Sequence, residues 1–306
     1  MSFLYWLEGL RVPVLNELML FITLLGEETC FLVVALIVFW CVDKRRGYLL
    51  MSVGFVGTIF NQFLKLACRI PRPWVRDPGF TILEQAREGA GGYSFPSGHT
   101  QMAVGTYGSL AATEKRGWLK WCFIILAVLV SFSRMYIGVH TLADVGVSVV
   151  LGIALILLLR PVVMNGGERA MAWLLGGMMA LGIGFLCYVE LFPFPADIDS
   201  HNLASGLKNA YTMAGCVTGV IVVYYVQRKW LDFDTKAVWW VQILKCVLGL
   251  ALVLLVKSGL KAPLDMLFQG HLLARSLRYF LVVTVAGLVW PLTFRFWSKI
   301  KYNACD

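Results

Sequence analysis

Charge is scarce in this sequence. Only 15% of the 306 residues are Asp, Glu, Lys or Arg, whereas 59% are hydrophobic. The mean hydropathy is +0.73, and a soluble domain of this length could not bury so much apolar surface. The composition therefore excludes a soluble globular protein and predicts an integral membrane protein.

Long basic runs, paired cysteines and a signal-peptide pattern are also missing. The net charge is +9, but no basic run could follow a nucleic-acid backbone, so we assign the excess to topology-setting loops and expect no nucleic-acid partner. The eight cysteines include no Cys-x-x-Cys pair, which argues against a disulfide framework or a cysteine metal site. Residues 1–11 lack a basic start followed by an adequate apolar stretch, so we expect the chain to keep them.

Long apolar segments recur along the chain. Because backbone N–H and C=O groups in hydrocarbon must be satisfied internally, we expect these segments to be helices. About nine reach, or nearly reach, the length needed to span a bilayer. They cover approximately residues 28–42, 47–66, 97–113, 118–132, 140–159, 169–189, 203–226, 238–256 and 272–297.

The N-terminal segment, residues 1–26, is apolar but interrupted by polar residues and a proline, and neither half reaches spanning length. The interruptions are Glu8, Arg11, Pro13, Asn16 and Glu17. We predict one or two interfacial amphipathic helices here. A tilted, polar-interrupted spanning helix is the alternative.

Three short motifs carry cations and imidazoles to the ends of predicted spans. The first ends the second span, the second opens the third span, and the last links the fourth span to the fifth, so all three should meet at one membrane face. They are Lys65 with Arg72-Pro73, Pro96-Ser97-Gly98-His99, and Ser133-Arg134 with His140 and Asp144.

The first group of motif residues has the chemistry of an anion site. Lys65 offers a point charge, whereas Arg72 and Arg134 offer planar forks that can bind oxygens in pairs. Ser97 can add a hydroxyl, and Gly98 permits close approach of the backbone N–H groups at a helix start. We predict that these five residues bind a phosphate group.

The second group can perform phosphoryl transfer. His140 and Asp144 are four residues apart, on one helical face. Asp144 can fix one imidazole nitrogen and leave the other free to attack phosphorus, so His140 is the candidate nucleophile. His99 is the candidate general acid and base. We expect no metal and no cofactor, because the cations supply the positive charge.

The order and spacing of the motifs resemble the signature of the type 2 phosphatidic acid phosphatase (PAP2) superfamily. That signature reads Lys-x6-Arg-Pro, Pro-Ser-Gly-His and Ser-Arg-x5-His-x3-Asp, and every specified position is filled here. The resemblance implies an all-α polytopic membrane protein built on a PAP2-type helical bundle. It assigns residues 27–160 to the catalytic core and leaves residues 161–306 as additional transmembrane helices.

The additional helices are similar to those of sphingosine-1-phosphate phosphatases and, more loosely, glucose-6-phosphatases. The similarity rests on helix order and on Ala196-Asp197, Lys245-Cys246-Val247-Leu248-Gly249 and Leu277-Arg278-Tyr279-Phe280. It favours a membrane-embedded lipid phosphatase that acts on a phosphate monoester, such as a long-chain base phosphate, through a phosphohistidine. Polyprenyl diphosphate, phosphatidate and phosphatidylglycerophosphate remain open as substrates. The alternatives are a lipid phosphotransferase and a lipid-phosphate binding or transport protein.

Charge distribution predicts the orientation. If Lys44-Arg45-Arg46 lies inside, most other loop cations share that face, and the three motifs lie outside. We therefore expect the active site to face the extracytoplasmic side. The PAP2 resemblance implies a bacterial inner or plasma membrane protein whose partners are a lipid phosphate and the bilayer. The oligomeric state is open.

Two loops lie close to the motifs in sequence or in expected position. Residues 81–92 contain Gly89, Gly91 and Gly92 and resemble a mobile lid. The loop with Asp197, Asp199 and His201 is expected to be solvated, because two carboxylates and one histidine on a loop are seldom a metal site.

Overall fold

The computed structural model describes residues 1–297 and is helical throughout, with no strand in that range, which confirms the predicted all-α class. Residues 298–306 of the predicted C-terminal region lie outside the described residues. The helices are α1 Ser2–Gly9, α2 Pro13–Leu24, α3 Glu28–Cys41, α4 Lys44–Cys68, α5 Pro73–Arg76, α6 Gly98–Ala103, α7 Ser109–Thr113, α8 Gly117–Tyr136, α9 Leu142–Asn165, α10 Glu168–Leu191, α11 Ser200–Trp230, α12 Trp239–Gly259, α13 Lys261–Leu267, α14 Leu273–Thr284, α15 Trp290–Leu292 and α16 Phe294–Trp297. Single π-helical turns, Val104–Gly108 and Val285–Val289, join α6 to α7 and α14 to α15.

Seven helical stretches within residues 1–297 are long and apolar enough to cross a membrane, and α2 with α3, bent by 52°, can add an eighth. All nine predicted segments are helical, so the estimate of about nine spans is close. It exceeds the structural count because two predicted spans are short. α3 has 14 residues, or about 21 Å at 1.5 Å per residue, which is less than a ~30 Å hydrocarbon core. The helix over residues 98–113 is similarly short.

Helix α4 lies at the centre of the bundle and packs against α3, α9 and α11. It begins where the Asp43 side chain accepts a hydrogen bond from Arg46 N, and it ends at Arg69, which has a left-handed φ of 50°. Gly54 and Gly57 lie where a Cβ atom would collide with Phe31 and Gln101, so these glycines permit close packing. This arrangement brings the last turn of α4, with Lys65, to the end of the bundle.

The C-terminal helices pack directly on this core. α11 contacts α4 as well as α10 and α14. Gly215 of α11 lies so close to the backbone of Ser276 that a Cβ atom would not fit. The first turns of α11 thereby reach the end of the bundle where the motifs lie.

Two ion pairs mark the end of the bundle opposite the motifs. At that end, Lys44 contacts Asp232 at 2.7 Å, and Arg46 contacts Glu114 at 3.6 Å. The three motifs lie at the other end, as their positions in the sequence predicted. The N-terminal segment forms two short helices, one of the predicted alternatives, and its interfacial placement stays a prediction.

Candidate active site

The motifs meet around a cavity of about 440 Å³. Six of the eight predicted site residues line it, and they come from sequence positions as distant as 65 and 140. These six are Lys65, Arg72, Gly98, His99, Arg134 and His140. Ser97 and Asp144 lie behind them, 0% and 1% exposed. The structure thus brings six of the predicted residues to one cavity, and the role of each residue stays a prediction.

Backbone carbonyls hold two of the cations in place. Lys65 Nζ donates to Tyr93 O at 2.6 Å. Arg72 Nε donates to Gly92 O and Nη2 to Gly91 O, each at 2.9 Å. These acceptors are neutral, so they orient Lys65 and Arg72 without cancelling their charge.

Arg134 has fewer hydrogen-bond partners than Arg72. It is 3% exposed, and its Nη1 donates to Thr23 Oγ1 at 2.6 Å. Its Nε has no hydrogen-bond partner, and no carboxylate lies within 4.0 Å, among residues 1–297. A buried guanidinium with open donors beside a cavity is suited to bind an anion there.

The tautomer of His140 follows from its neighbour. Arg72 Nη1 lies 2.9 Å from His140 Nε2, and a guanidinium can only donate, so Nε2 accepts. In the neutral imidazole the proton is then on Nδ1, which faces Asp144 Oδ2 at 3.6 Å. Burial lowers the pKa of His140 well below its ordinary value, and the charge of Arg72 lowers it further. His140 is therefore neutral, with a lone pair on Nε2.

Asp144 is placed differently from what the four-residue spacing suggested. Its Oδ2 accepts from Thr141 N at 2.7 Å and from Ser94 Oγ at 2.6 Å, and Thr141 Oγ1 accepts from Asp144 N in return. This capping box starts α9. The 3.6 Å separation between Asp144 and His140 is too long for a hydrogen bond, and Ser94 contacts both groups, with Oγ 3.5 Å from His140 Nδ1.

The start of α6 presents the second motif to the cavity. Ser97 is the N-cap, and its Oγ accepts from Thr100 N at 3.4 Å. Gly98 and His99 line the cavity, and a Cβ at Gly98 would lie 3.7 Å from Asn61 Oδ1. Within residues 1–297 the His99 side chain makes no hydrogen bond, so its imidazole is available to a ligand.

Several polar residues of the site were missed by the motif analysis. Asn61 and Gln101 line the cavity and are 2% and 4% exposed, and Asn61 Oδ1 and Gln101 Oε1 have no partner among residues 1–297. Asn61 precedes Lys65 by one helical turn, a signal that the sequence did offer. Ser94 and Thr23 gave no local signal, because their contacts join distant segments.

Another part of the cavity wall lies outside the motifs. Glu27 and Glu28, at the bend between α2 and α3, supply carboxylates. Ser205 and Asn209 come from α11 and supply neutral polar groups. The cavity thus combines cations with acidic and amide side chains.

A helical membrane protein with this cationic, histidine-bearing cavity has the architecture expected of a membrane phosphatase. Residues 45–167 match the PAP2 superfamily, and residues 211–300 match the PAP2 superfamily phosphatase transmembrane extension.

Curated relatives agree with these matches. Undecaprenyl-diphosphatase BcrC of Bacillus subtilis is 30% identical over 142 residues, which cover 46% of this chain and 70% of that protein. Phosphatidylglycerophosphatase B of Bacillus subtilis is 31% identical over 166 residues, covering 49% of this chain and 76% of that protein. Dihydrosphingosine 1-phosphate phosphatase C823.11 of Schizosaccharomyces pombe is 27% identical over 155 residues, covering 47% of this chain and 37% of that protein. No solved structure matches the chain.

The chain belongs to the PAP2 superfamily, as the motifs predicted, and carries that superfamily's transmembrane extension. Its phosphatase relatives place it among the phosphoric monoester hydrolases.

Proposed function

We propose that this protein is a membrane-embedded phosphatase that hydrolyses a lipid phosphate monoester through a phosphohistidine, without a metal. One observation carries the proposal. His140, whose Nε2 accepts a hydrogen bond from Arg72, lines a cavity that Lys65, Arg72 and Arg134 also line, and the buried Nε of Arg134 has no partner among residues 1–297. A pure binding protein would need the cations but would gain nothing from a tautomer-fixed imidazole.

The cations bind the phosphate in this proposal. Arg134 offers Nε and Nη2, and Lys65 keeps two N–H donors after its bond to Tyr93. Arg72 uses four of its five N–H groups on Gly91, Gly92, Val139 and His140. Its Nη1 would turn from His140 Nε2 to a phosphate oxygen, which frees the lone pair for attack.

The first chemical step forms a bond between His140 Nε2 and phosphorus and breaks the bond from phosphorus to the lipid oxygen. Protonated His99 donates its proton to that oxygen, so the lipid leaves as an alcohol. Burial disfavours the imidazolium form of His99, and the charges of Arg134, Arg72 and Lys65 disfavour it further. A bound phosphate dianion offsets them and supports the imidazolium form.

The second step returns the enzyme to its starting state. Neutral His99 accepts a proton from water, and the hydroxide equivalent attacks phosphorus and breaks the P–N bond to His140. Inorganic phosphate leaves, and His99 is again protonated. Lys65, Arg72 and Arg134 stabilise the charge on the transferred group in both steps, which is the principal requirement of phosphoryl transfer.

A long-chain base phosphate is the substrate that we propose. Glu27 and Glu28 line the same cavity as the phosphate-binding cations, so they can attract the ammonium group of such a lipid. The similarity to a dihydrosphingosine 1-phosphate phosphatase supports this choice. Undecaprenyl diphosphate is the second candidate, because one relative is an undecaprenyl-diphosphatase.

The positive-inside rule and the grouping of Lys44, Arg45 and Arg46 at the opposite end of the bundle support an extracytoplasmic site in a bacterial inner or plasma membrane. Intact cells that express the protein should hydrolyse an added membrane-impermeant phosphate ester. Hydrolysis that starts only after the cells are lysed would contradict this orientation.

The function is tested with purified protein in detergent and EDTA. Phosphate release is measured from a long-chain base phosphate, phosphatidate, phosphatidylglycerophosphate and undecaprenyl diphosphate. His140→Ala should abolish turnover. His99→Ala, supplied with p-nitrophenyl phosphate, whose leaving group needs no acid, should accumulate an acid-labile and alkali-stable phosphoenzyme. Wild-type turnover by His140→Ala would overturn the nucleophile assignment, and strict dependence on added Mg²⁺ would overturn the metal-free mechanism.

A further inference from the structure

The backbone segment 91–94 holds the phosphate-binding cations in place. The carbonyls of Gly91 and Gly92 accept from Arg72, and the carbonyl of Tyr93 accepts from Lys65 Nζ at 2.6 Å. A shift of this segment would therefore move both cations. Their geometry depends on whatever holds the other side of the segment.

The first turn of α11 holds that other side. Tyr93 N donates to Asn202 Oδ1 at 2.5 Å. Asn202 Nδ2 donates to Asp199 Oδ1 at 2.8 Å, and Asp199, the N-cap of α11, accepts from Asn202 N at 2.7 Å. Because Tyr93 N can only donate and Asp199 can only accept, both contacts fix the same orientation of the Asn202 amide.

Close packing supports this contact. Gly92 has a φ of +83°, and a Cβ atom there would lie 2.6 Å from Asn202 Oδ1. A Cβ atom at Gly91 would lie 3.0 Å from His201 Cε1. Both glycines thus let the segment lie directly on α11, so a change at Asn202 is transmitted to the carbonyls that hold Lys65 and Arg72.

We infer that Asn202 is a positioning residue of the phosphate site: it fixes segment 91–94, which in turn orients Lys65 and Arg72. This inference rests on the proposed function for its catalytic meaning. Asn202 lies between the two family matches, residues 45–167 and 211–300. The loop with Asp199 and His201, which the sequence suggested to be merely solvated, therefore connects the extension to the catalytic core.

The test compares Asn202→Ala with two other variants. The double variant Asp199→Asn with Asn202→Asp exchanges the two side chains and keeps an acceptor for Tyr93 N and a bond between residues 199 and 202. Lys208→Ala is the matched control, because Lys208 is exposed on the same helix and does not line the cavity. Each protein is assayed for kcat, KM, thermal unfolding and the Kd of inorganic phosphate.

Loss of one hydrogen bond should weaken phosphate binding by about 2- to 10-fold. Asn202→Ala should raise the Kd of inorganic phosphate and the KM by that factor, without a matching fall in melting temperature. The exchanged double variant should recover most of the loss, and Lys208→Ala should behave as wild type. If Asn202→Ala does not purify in folded form, Asn202→Ser, which is too short to reach Tyr93, takes its place.

An unchanged Kd in the folded Asn202 variant, or an equal loss in a stable double variant, would overturn the inference. The phosphate titration needs no turnover, so it separates this inference from the proposed function. Wild-type protein that releases phosphate from no lipid substrate would refute the function. The Kd comparison would still decide the role of Asn202.

Discussion

Replacement of Arg134 by Met should increase the stability of the phosphate-free protein while abolishing its activity. The Arg134 guanidinium is 3% exposed and donates to Thr23 Oγ1. Its Nε has no partner, and no carboxylate lies within 4.0 Å, in the described part of the chain. The buried charge therefore lowers the stability of the phosphate-free folded protein, and in return it can bind an anion.

The expected change in stability on Arg134→Met follows from two opposing contributions. Burial of an ion without a charged partner costs several kcal/mol. The bond to Thr23 returns about 1.5–3 kcal/mol, because hydrogen bonds to charged groups are stronger than neutral ones. Met removes both contributions and keeps a side chain of similar length. The phosphate-free variant should be more stable by about 1–3 kcal/mol, which is a rise of several degrees in melting temperature.

Thermal unfolding in one detergent, with and without inorganic phosphate, measures the effect. Phosphate should raise the melting temperature of the wild type, since ligand binding stabilises the folded state, and should leave Arg134→Met unchanged. The kcat/KM of the variant should fall by at least ~100-fold, in the range seen when one charge-stabilising donor is removed.

Thr23→Val is the matched control, because it removes the acceptor and leaves the charge. It should lower the melting temperature of the phosphate-free protein, since the buried guanidinium then has no acceptor. If Arg134→Met unfolds at a lower temperature than wild type in phosphate-free buffer, Arg134 stabilises the fold, and the account of an open anion site is wrong.

Three further predictions concern the same cavity. Ser94→Ala removes the 2.6 Å bond to Asp144 and should lower kcat by about 10- to 100-fold with little change in KM, as steady-state kinetics would show; an unchanged kcat would remove Ser94 from the site. Because the pKa of His140 is lowered, its imidazole protonates only below its ordinary value of 6.5, so the acid limb of the kcat/KM profile should lie well below pH 6.5. A limb at or above that value would contradict the assignment. Glu27→Gln should lower kcat/KM for a long-chain base phosphate relative to phosphatidate by about 3- to 10-fold. An equal effect on both substrates would exclude ammonium recognition.

The sequence predicted the members of the site better than their contacts. Motif spacing together with the ends of apolar segments correctly placed Lys65, His99, Arg134 and His140 at one end of a helical bundle. This succeeded because a membrane helix must run from one face to the other, so a residue's position in its span fixes its depth. The span count was less reliable, since α3 and residues 98–113 form helices that are shorter than a bilayer.

Contacts between distant segments could not be predicted from local patterns. Ser94 reaches Asp144 across 50 residues, and Tyr93 reaches Asn202 across 109. Asp144 is instructive, because its spacing from His140 suggested a direct hydrogen bond. The pattern Thr141-x-x-Asp144 also predicts a capping box, and in the structure the helix start takes the carboxylate oxygen that the imidazole was expected to use.

The site keeps its positive charge because neutral groups hold its cations. Lys65 and Arg72 donate to backbone carbonyls and Arg134 to a hydroxyl, whereas a carboxylate partner would have cancelled each charge and competed with the phosphate. Carbonyl dipoles orient the Lys65 and Arg72 side chains without supplying a counter-charge. These side chains therefore need little reorganisation when the substrate arrives. Such an arrangement has low stability of its own. It needs a rigid backbone around the cations, and the contact between segment 91–94 and α11 gives the C-terminal extension a physical reason to be part of a phosphatase.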